Sequence, residues 1–284
     1  MAHIILIRWG GASRQTATIL WFCLSHGANV DAKTPSGSTA LKVAAGRGHL
    51  AVARILLDAG AAVDIAANDE FTPLLIATKK GFAAMVTLLV RYKPNIEARA
   101  HEGSTALGIA CQHGMMEIAS TLLGAEASVN VTDYAGWSPL MCAAVSGHVD
   151  VTKLLLTHGA DINAKGPLQA TALRIASEKG YVGVVRVLLD AKAQMDEPNE
   201  DGNTPLYIAA RNGHGSIVQL LLNRGANPNI QCNTGCTALI VAAMYNRLEP
   251  LRILLDRGAD VDLDDNNKWT VLSMALSSAR PAHT

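Results

Sequence analysis

Residues 37–64 read GSTALKVAAGRGHLAVARILLDAGAAVD. Thr39 follows the turn pair Ser36-Gly37 and precedes a run whose apolar residues Leu41, Ala44 and Ala45 share one helical face. A Thr oxygen accepts a hydrogen bond from the first free amides of a helix, so Thr39 is placed as an N-cap. Gly48 interrupts the run, and a second run carries the pair Leu56-Leu57 before Gly60-Ala61 ends it. Two helices this short cannot bury their apolar stripes alone, so the stretch needs something to pack against.

More of the same sequence meets that need. The Thr/Ser-x-Leu step recurs at Thr39, Thr72, Thr105, Ser138, Thr171, Thr204, Thr237 and Thr270, at one constant interval with no insertion or deletion. A small residue that lets helices approach closely recurs with it, as Ala44, Ala77, Ala110, Ala143, Ala176, Ala209, Ala242 and Ala275. The junction residue is Gly48, Gly81, Gly114, Gly147, Gly180, Gly213 and then Asn246; Gly and Asn best tolerate the left-handed end of a helix. The apolar pair runs from Leu56-Leu57 to Leu254-Leu255. Gly60, Gly159, Gly225 and Gly258 end the second helix, whereas Lys93, Glu126 and Lys192 stand there in the second, third and fifth repeats. If those three keep a left-handed backbone, each costs about 1 kcal/mol, which predicts soft repeats at those places. A segment rich in Asp, Asn and Gly then leads into the next repeat and reads as a hairpin-like finger.

The T-P-L-x-x-A start, G-H junction, L-L pair and G-A-D-x-N/D end resemble the ankyrin repeat at that family's 33-residue period. The resemblance implies an all-α solenoid of stacked helix-turn-helix units with finger loops. It divides the chain into a degenerate N-terminal capping repeat at 1–33, seven full repeats at 34–264 and a partial C-terminal repeat or cap at 265–284. ILWFCLSHGANVD at 19–31 matches the second half of a repeat and puts Cys23 in the apolar stripe of the cap helix. The tail 277–284 is either a cap or the edge of a longer chain. One departure stands out. The family usually carries His after T-P-L, where it ties turns together, but here the slot holds Lys42, Leu75, Gly108, Met141, Arg174, Tyr207, Ile240 and Ser273. Weaker ties between turns are expected, not a different fold.

Composition narrows the function. Lys plus Arg equals Asp plus Glu at 24 each, so charge gives no argument for nucleic acid. Aromatics make up 4% of the chain against 49% hydrophobic residues, which suits thin, closely packed helices. No apolar run approaches the ~18 residues of a membrane span, and HIILI at 3–7 is too short for a signal peptide. Five scattered Cys, an odd number, favour a reducing compartment, hence an intracellular and most simply cytoplasmic protein.

Catalytic signatures are missing: no G-x-x-x-x-G-K-[ST], G-x-G-x-x-G, H-E-x-x-H or G-x-S-x-G occurs. His49, His148 and His214 follow the junction Gly, where the motif expects a structural His, and His26 and His158 precede a Gly-Ala helix end. Cys111 and Cys142 fall within first helices. Cys232-x-x-x-Cys236 lacks the two further ligands a zinc site needs, so no metal and no cofactor are expected, and a finger disulfide is the lesser alternative. No carboxylate pair is placed in a pocket, as general acid–base work would need.

A repeat stack offers an extended concave surface, made in ankyrin-like proteins of fingers and first-helix ends. The positions before the junction are Gly46-Arg47, Lys79-Lys80, Gln112-His113, Val145-Ser146, Glu178-Lys179, Arg211-Asn212 and Met244-Tyr245, with five Lys or Arg to one acid. Phe71, His101, Tyr134 and Trp137 lie on fingers of the second to fourth repeats; Glu197, Glu200, Asp201, Asp264 and Asp265 crowd later ones. Interfaces favour aromatic and Arg anchors. The expected function is therefore a non-catalytic, monomeric protein-interaction scaffold, or a segment of a larger ankyrin protein. Its partner is a protein or peptide with acidic groups for Lys79 and Lys80 and apolar groups for Phe71 and Trp137. The bland alternatives are a solvated basic face and aromatics that lean on neighbouring fingers, as Phe71, Trp137 and Trp269 can. Nucleic-acid binding along the basic strip and an enzyme with an unrecognised site are the readings from other classes, and membrane binding is not expected.

Overall fold

The computed structural model describes residues 14–278. They fall into two compact bodies, one ending at Ala135 and one beginning at Gly136. The first holds α1 (Arg14–Ser25) and three helix pairs: α2 (Ala40–Arg47) with α3 (Leu50–Asp58), α4 (Pro73–Lys79) with α5 (Ala83–Val90), and α6 (Ala106–Gln112) with α7 (Met116–Gly124). The second holds α8 (Pro139–Ser146) with α9 (Val149–Thr157), α10 (Ala172–Lys179) with α11 (Val182–Asp190), α12 (Pro205–Asn212) with α13 (Gly215–Asn223), α14 (Ala238–Met244) with α15 (Leu248–Asp256), and a final α16 (Val271–Ser278). Among the described residues the only β pairing is an isolated bridge, Asp264 with Thr270. The beginning of the expected cap and the tail residues 279–284 lie outside the described residues.

Capping sets where each first helix begins. Thr39, Thr72, Thr105, Ser138, Thr171, Thr204 and Thr237 all accept the amide three residues on, at Lys42, Leu75, Gly108, Met141, Arg174, Tyr207 and Ile240. Losing such a cap costs about 1 kcal/mol. Where the helix ends, the junction residue turns left-handed, from Gly48 at φ 72° to Asn246 at φ 54°. Packing adds a second demand for glycine there: a Cβ on Gly147 would meet the Tyr181 ring at 2.8 Å, and one on Gly180 would meet His214 at 2.8 Å. Both covering residues are the N-caps of the following repeat's second helix.

The core follows the repeat. Leu56, Leu89, Leu122, Leu155, Leu188, Leu221 and Leu254 are each no more than 1% exposed, as are the first-helix leucines from Leu41 to Leu239. Burying each contributes about 1.5–3 kcal/mol. The small first-helix residue is buried from Ala44 to Ala242, and neighbouring first helices pack directly on one another within each body. The last repeat departs from this. Leu272 is 69% exposed and Ala275 is exposed, although α16 still packs on α14. Val271 and Met274 seal α16 instead, against buried Cys232, Cys236 and Ile240.

Fingers are tight hairpins. In the one at 232–236 Cys232 N–H donates to the Cys236 carbonyl at 3.0 Å, and Gly235 N–H to the Cys232 carbonyl at 2.8 Å. The fourth position of the turn is left-handed, Gly at five of the fingers but Glu70, Gln169 and Lys268 at three. This is the geometry of a turn followed by a left-handed residue. Successive fingers bond to each other, as in Asn68 N–H to Ser36 O (3.1 Å) and Asn233 N–H to Asp201 O (2.9 Å). Before the fingers the closing Asp or Asn of the G-A-D-x-N/D end makes a parallel ladder. The side chain of Asp31, Asp64, Asp196 or Asn229 accepts the amide 31 residues on, at Ala62, Asn95, Asn227 and Asp260.

Those ladders tie successive repeats without a His in the slot after T-P-L. Leu75, Met141 and Ile240 in the slot after T-P-L are buried at 1% exposure or less and simply extend the core. Lys42 makes a tie of its own, reaching the Asp69 carboxylate in the next finger at 2.5 Å.

Candidate protein-interaction surface

In the first body Arg47 ends α2, Lys79 ends α4, and Lys80 and His113 follow α4 and α6; all four are exposed. Arg47, Lys80 and His113 occupy one position in three successive repeats. Lys79 behaves differently from its neighbour. Helical side chains lean toward the helix N-terminus, so Lys79 reaches back along α4 until Nζ lies 4.5 Å from the centroid of the half-buried Phe71 ring. An exposed cation–π pair of this kind contributes about 0.5–1 kcal/mol and fixes where the ammonium sits.

An apolar row that sequence reading missed crosses the same helices: Val43 (36% exposed), Ile76 (half-buried) and Ile109 (7%), again one per repeat at a shared position. Gly46 makes room for it, since a Cβ there would lie 3.1 Å from Ile76 Cγ1. The spacing was legible, but three apolar residues on an apolar helix give no sign of which is left uncovered.

On the fingers, His101 is exposed and Tyr134 is 73% exposed. The Tyr134 ring lies against Gly103 and 5.6 Å from the Arg99 guanidinium carbon. Arg99, also missed, donates through Nη1 to the Gly103 and Thr132 carbonyls at 2.9 and 2.8 Å. Gln231 holds the same repeat position in the second body and bonds the Gly235 and Asp264 carbonyls in the same way. Asp69 is no free acid. Burial raises its carboxyl pKa, but bonds from Lys42 and the Phe71 amide outweigh this and hold it below the ordinary value.

In the second body Trp137 is half-buried just before the cap Ser138, and Lys179 is exposed at the end of α10. Arg211 is half-buried, its guanidinium carbon 5.3 Å from the Tyr245 ring, which is 44% exposed. The one acid of the basic strip, Glu178, is taken by Arg174 at 3.0 Å. The late-finger acids do not act as one cluster. Glu197 pairs with Lys165 at 2.6 Å and Asp264 with Lys268 at 3.3 Å. Asp265 is 6% exposed and accepts the amides of Asn267 and Trp269, so it holds its own turn. Glu200 and Asp201 remain exposed. Trp269 is 40% exposed.

The nitrogen and sulfur groups sit in the frame. His214 Nε2 lies 3.0 Å from the Glu178 carbonyl, tying two repeats. His26 and His158 are exposed helix-end residues whose Nδ1 atoms lie 2.7 and 2.9 Å from the Phe22 and Leu154 carbonyls. Cys232 and Cys236 are buried free thiols, and burial pushes the Cys236 thiol up. Cys23 does share a helix face with apolar Ile19 and Phe22, but that face is exposed, and α1 turns Ala17 inward instead. Among the described residues no group of three or more His, Cys, Asp or Glu is placed to hold a metal, and no helix is long and apolar enough to cross a membrane.

Comparison with known proteins agrees with this architecture. The family described as ankyrin repeats (3 copies) matches residues 11–100, 85–166, 165–232 and 217–283. The crystal structure of the human ASB11 ankyrin repeat domain is similar, with 26% identity and a TM-score of 0.67 over 72% of this chain and 92% of that one. No curated protein matched. Ankyrin repeats are in general protein–protein interaction modules. With capped helix pairs recurring at one constant interval and family matches running from residue 11 to 283, this chain belongs to the ankyrin repeat family.

Proposed function

We propose that the chain is a non-catalytic, monomeric scaffold, intracellular and most simply cytoplasmic, that binds a protein or peptide through its fingers and first-helix ends. In this reading residues 1–33 cap the stack, 34–264 form seven full repeats and 265–284 a partial one. The binding residues are Arg47, Phe71, Lys79, Lys80, His101, His113, Tyr134, Trp137, Lys179, Arg211 and Tyr245. The observation that carries the reading is the contrast within each first helix. Its leucines and alanine are buried in a near-invariant frame, while its last turn varies from repeat to repeat, with exposed Arg47, Lys79, Lys80 and Lys179 in some and a cation beside a ring in two, Lys79 over Phe71 and half-buried Arg211 by Tyr245. Cations set beside rings are the anchors that interfaces favour.

The test is affinity capture with the intact chain and with the quadruple Arg47→Ala, Lys79→Ala, Lys80→Ala, Trp137→Ala variant, once circular dichroism has confirmed that both fold. A protein retained by the intact chain and lost by the variant supports the surface. Equal retention by both moves the site to the convex side or to the C-terminal fingers.

A further inference from the structure

The first body carries two cations and a histidine at a fixed repeat position, and that spacing selects a ligand shape. Arg47 ends helix α2, and the equivalent Lys80 and His113 directly follow α4 and α6; these helices pack side by side in that order. Packed helices lie about 8–10 Å apart, so these side chains rise from the surface at about that interval. A polyproline-II chain advances about 9.3 Å in three residues and returns to the same face, because it has three residues per turn. A β-strand covers a similar distance of about 10 Å in three residues but presents the third side chain on the opposite face. An α-helix advances only about 4.5 Å in three residues. Seven helical residues regain the same face only at about 10.5 Å, past that interval, so the polyproline-II form fits the pitch and the face most closely.

Charge and shape complete the match. Arg47 and Lys80 are exposed, and Lys79 is steered over Phe71 beside them. Lys42 and Asp69 already satisfy each other. Exposed Glu70 and Glu102 sit on fingers, beyond the opposite end of the first helices, and repel an acidic ligand toward the helix-end side. Next to the cations the row of Val43 and Ile76 offers apolar contact to the residues between the acids, a place that suits proline or alanine.

We infer that the first body binds an extended, polyproline-II-like peptide with an acidic residue at every third position, an assignment that rests on the scaffold reading above. The test is fluorescence anisotropy with the full chain and two labelled peptides of one composition. One is built of three Glu-Pro-Ala triplets, and the other has its glutamates clustered. The spaced peptide is expected to bind about tenfold more tightly, the product of two register-matched ion pairs at about threefold each. Arg47→Ala and Lys80→Ala should each weaken it about threefold while leaving the circular dichroism spectrum unchanged. Equal affinity for the two peptides overturns the inference, as does indifference to both substitutions or equal competition by a single-stranded oligonucleotide. If neither peptide binds but the quadruple variant still loses its captured protein, this inference fails and the scaffold reading stands.

Discussion

Lys42 Nζ lies 2.5 Å from Asp69 Oδ1 and joins the first helix of one repeat to the finger of the next. The two ends of the pair differ in environment: the lysine side chain is 7% exposed and the carboxylate 56%.

That asymmetry sets the first prediction. Asp69→Ala leaves the enclosed ammonium without its acceptor and should cost about 1–2 kcal/mol, less than for a fully buried pair because water screens the aspartate. Lys42→Met removes the charge that burial penalises and should change stability by under about 1 kcal/mol. Urea midpoints at pH 7 would separate the two. Since the Asp69 pKa is held below its ordinary value of 3.8, the pair's contribution is complete above that pH and is lost as pH falls through the depressed folded value. Wild type and Asp69→Ala should therefore converge on acidification.

Lys93, Glu126 and Lys192 hold φ of 51°, 66° and 69° at the ends of their second helices. Each should gain about 0.5–1 kcal/mol on substitution by Gly, the relief of left-handed strain reduced by glycine's greater unfolded-state freedom. Gly60→Ala is the converse test. Nothing lies within 4 Å of its Cβ position, so any loss comes from φ of 87° alone. Amide exchange should be faster over 83–93, 116–126 and 182–192 than over 248–258; uniform protection would count against the soft repeats.

Thr78 Oγ1 and Ser177 Oγ are buried without a hydrogen-bond partner, at a position where Ala45, Ala144 and Ala210 stand in other repeats. Ser177→Ala and Thr78→Val should raise the urea midpoint, by up to about 1 kcal/mol each, because they delete an unsatisfied hydroxyl without opening a large cavity. A loss of stability in both would mean that the hydroxyls are bonded.

Thiol titration separates the cysteines. Exposed Cys23 should react quickly with an aromatic disulfide reagent in the native state, while Cys111, Cys232 and Cys236 should react only on unfolding. Rapid native modification of Cys232 or Cys236 would contradict the packed finger that Val271 and Met274 cover.

Much of this was readable in the residues because the signals were local and repeated. Thr39 and its equivalents announced every first helix, since an N-cap needs only the three residues that follow it. Gly48 and its equivalents announced every junction, because a positive φ is a property of a single residue. The exposed cations Arg47, Lys79 and Lys80 were also legible, by subtraction from the repeated frame. Arg99 was not. Its bonds run to carbonyls, which every residue has, so no partner residue type betrayed the contact.

The sequence by itself determined the period, the helix limits and the buried leucines, because each depends on spacing along one chain. Tertiary structure decided which polar groups are free. Asp265 looked like surface charge and holds its own turn, Lys42 looked like a lost tie and makes a tie to Asp69, and Cys23 was placed in an apolar stripe that the fold leaves exposed. A side chain's burial and its acceptor are set by atoms brought in from about 30 residues away, as in the 27 residues between Lys42 and Asp69. Only stacking one repeat on the next makes them neighbours.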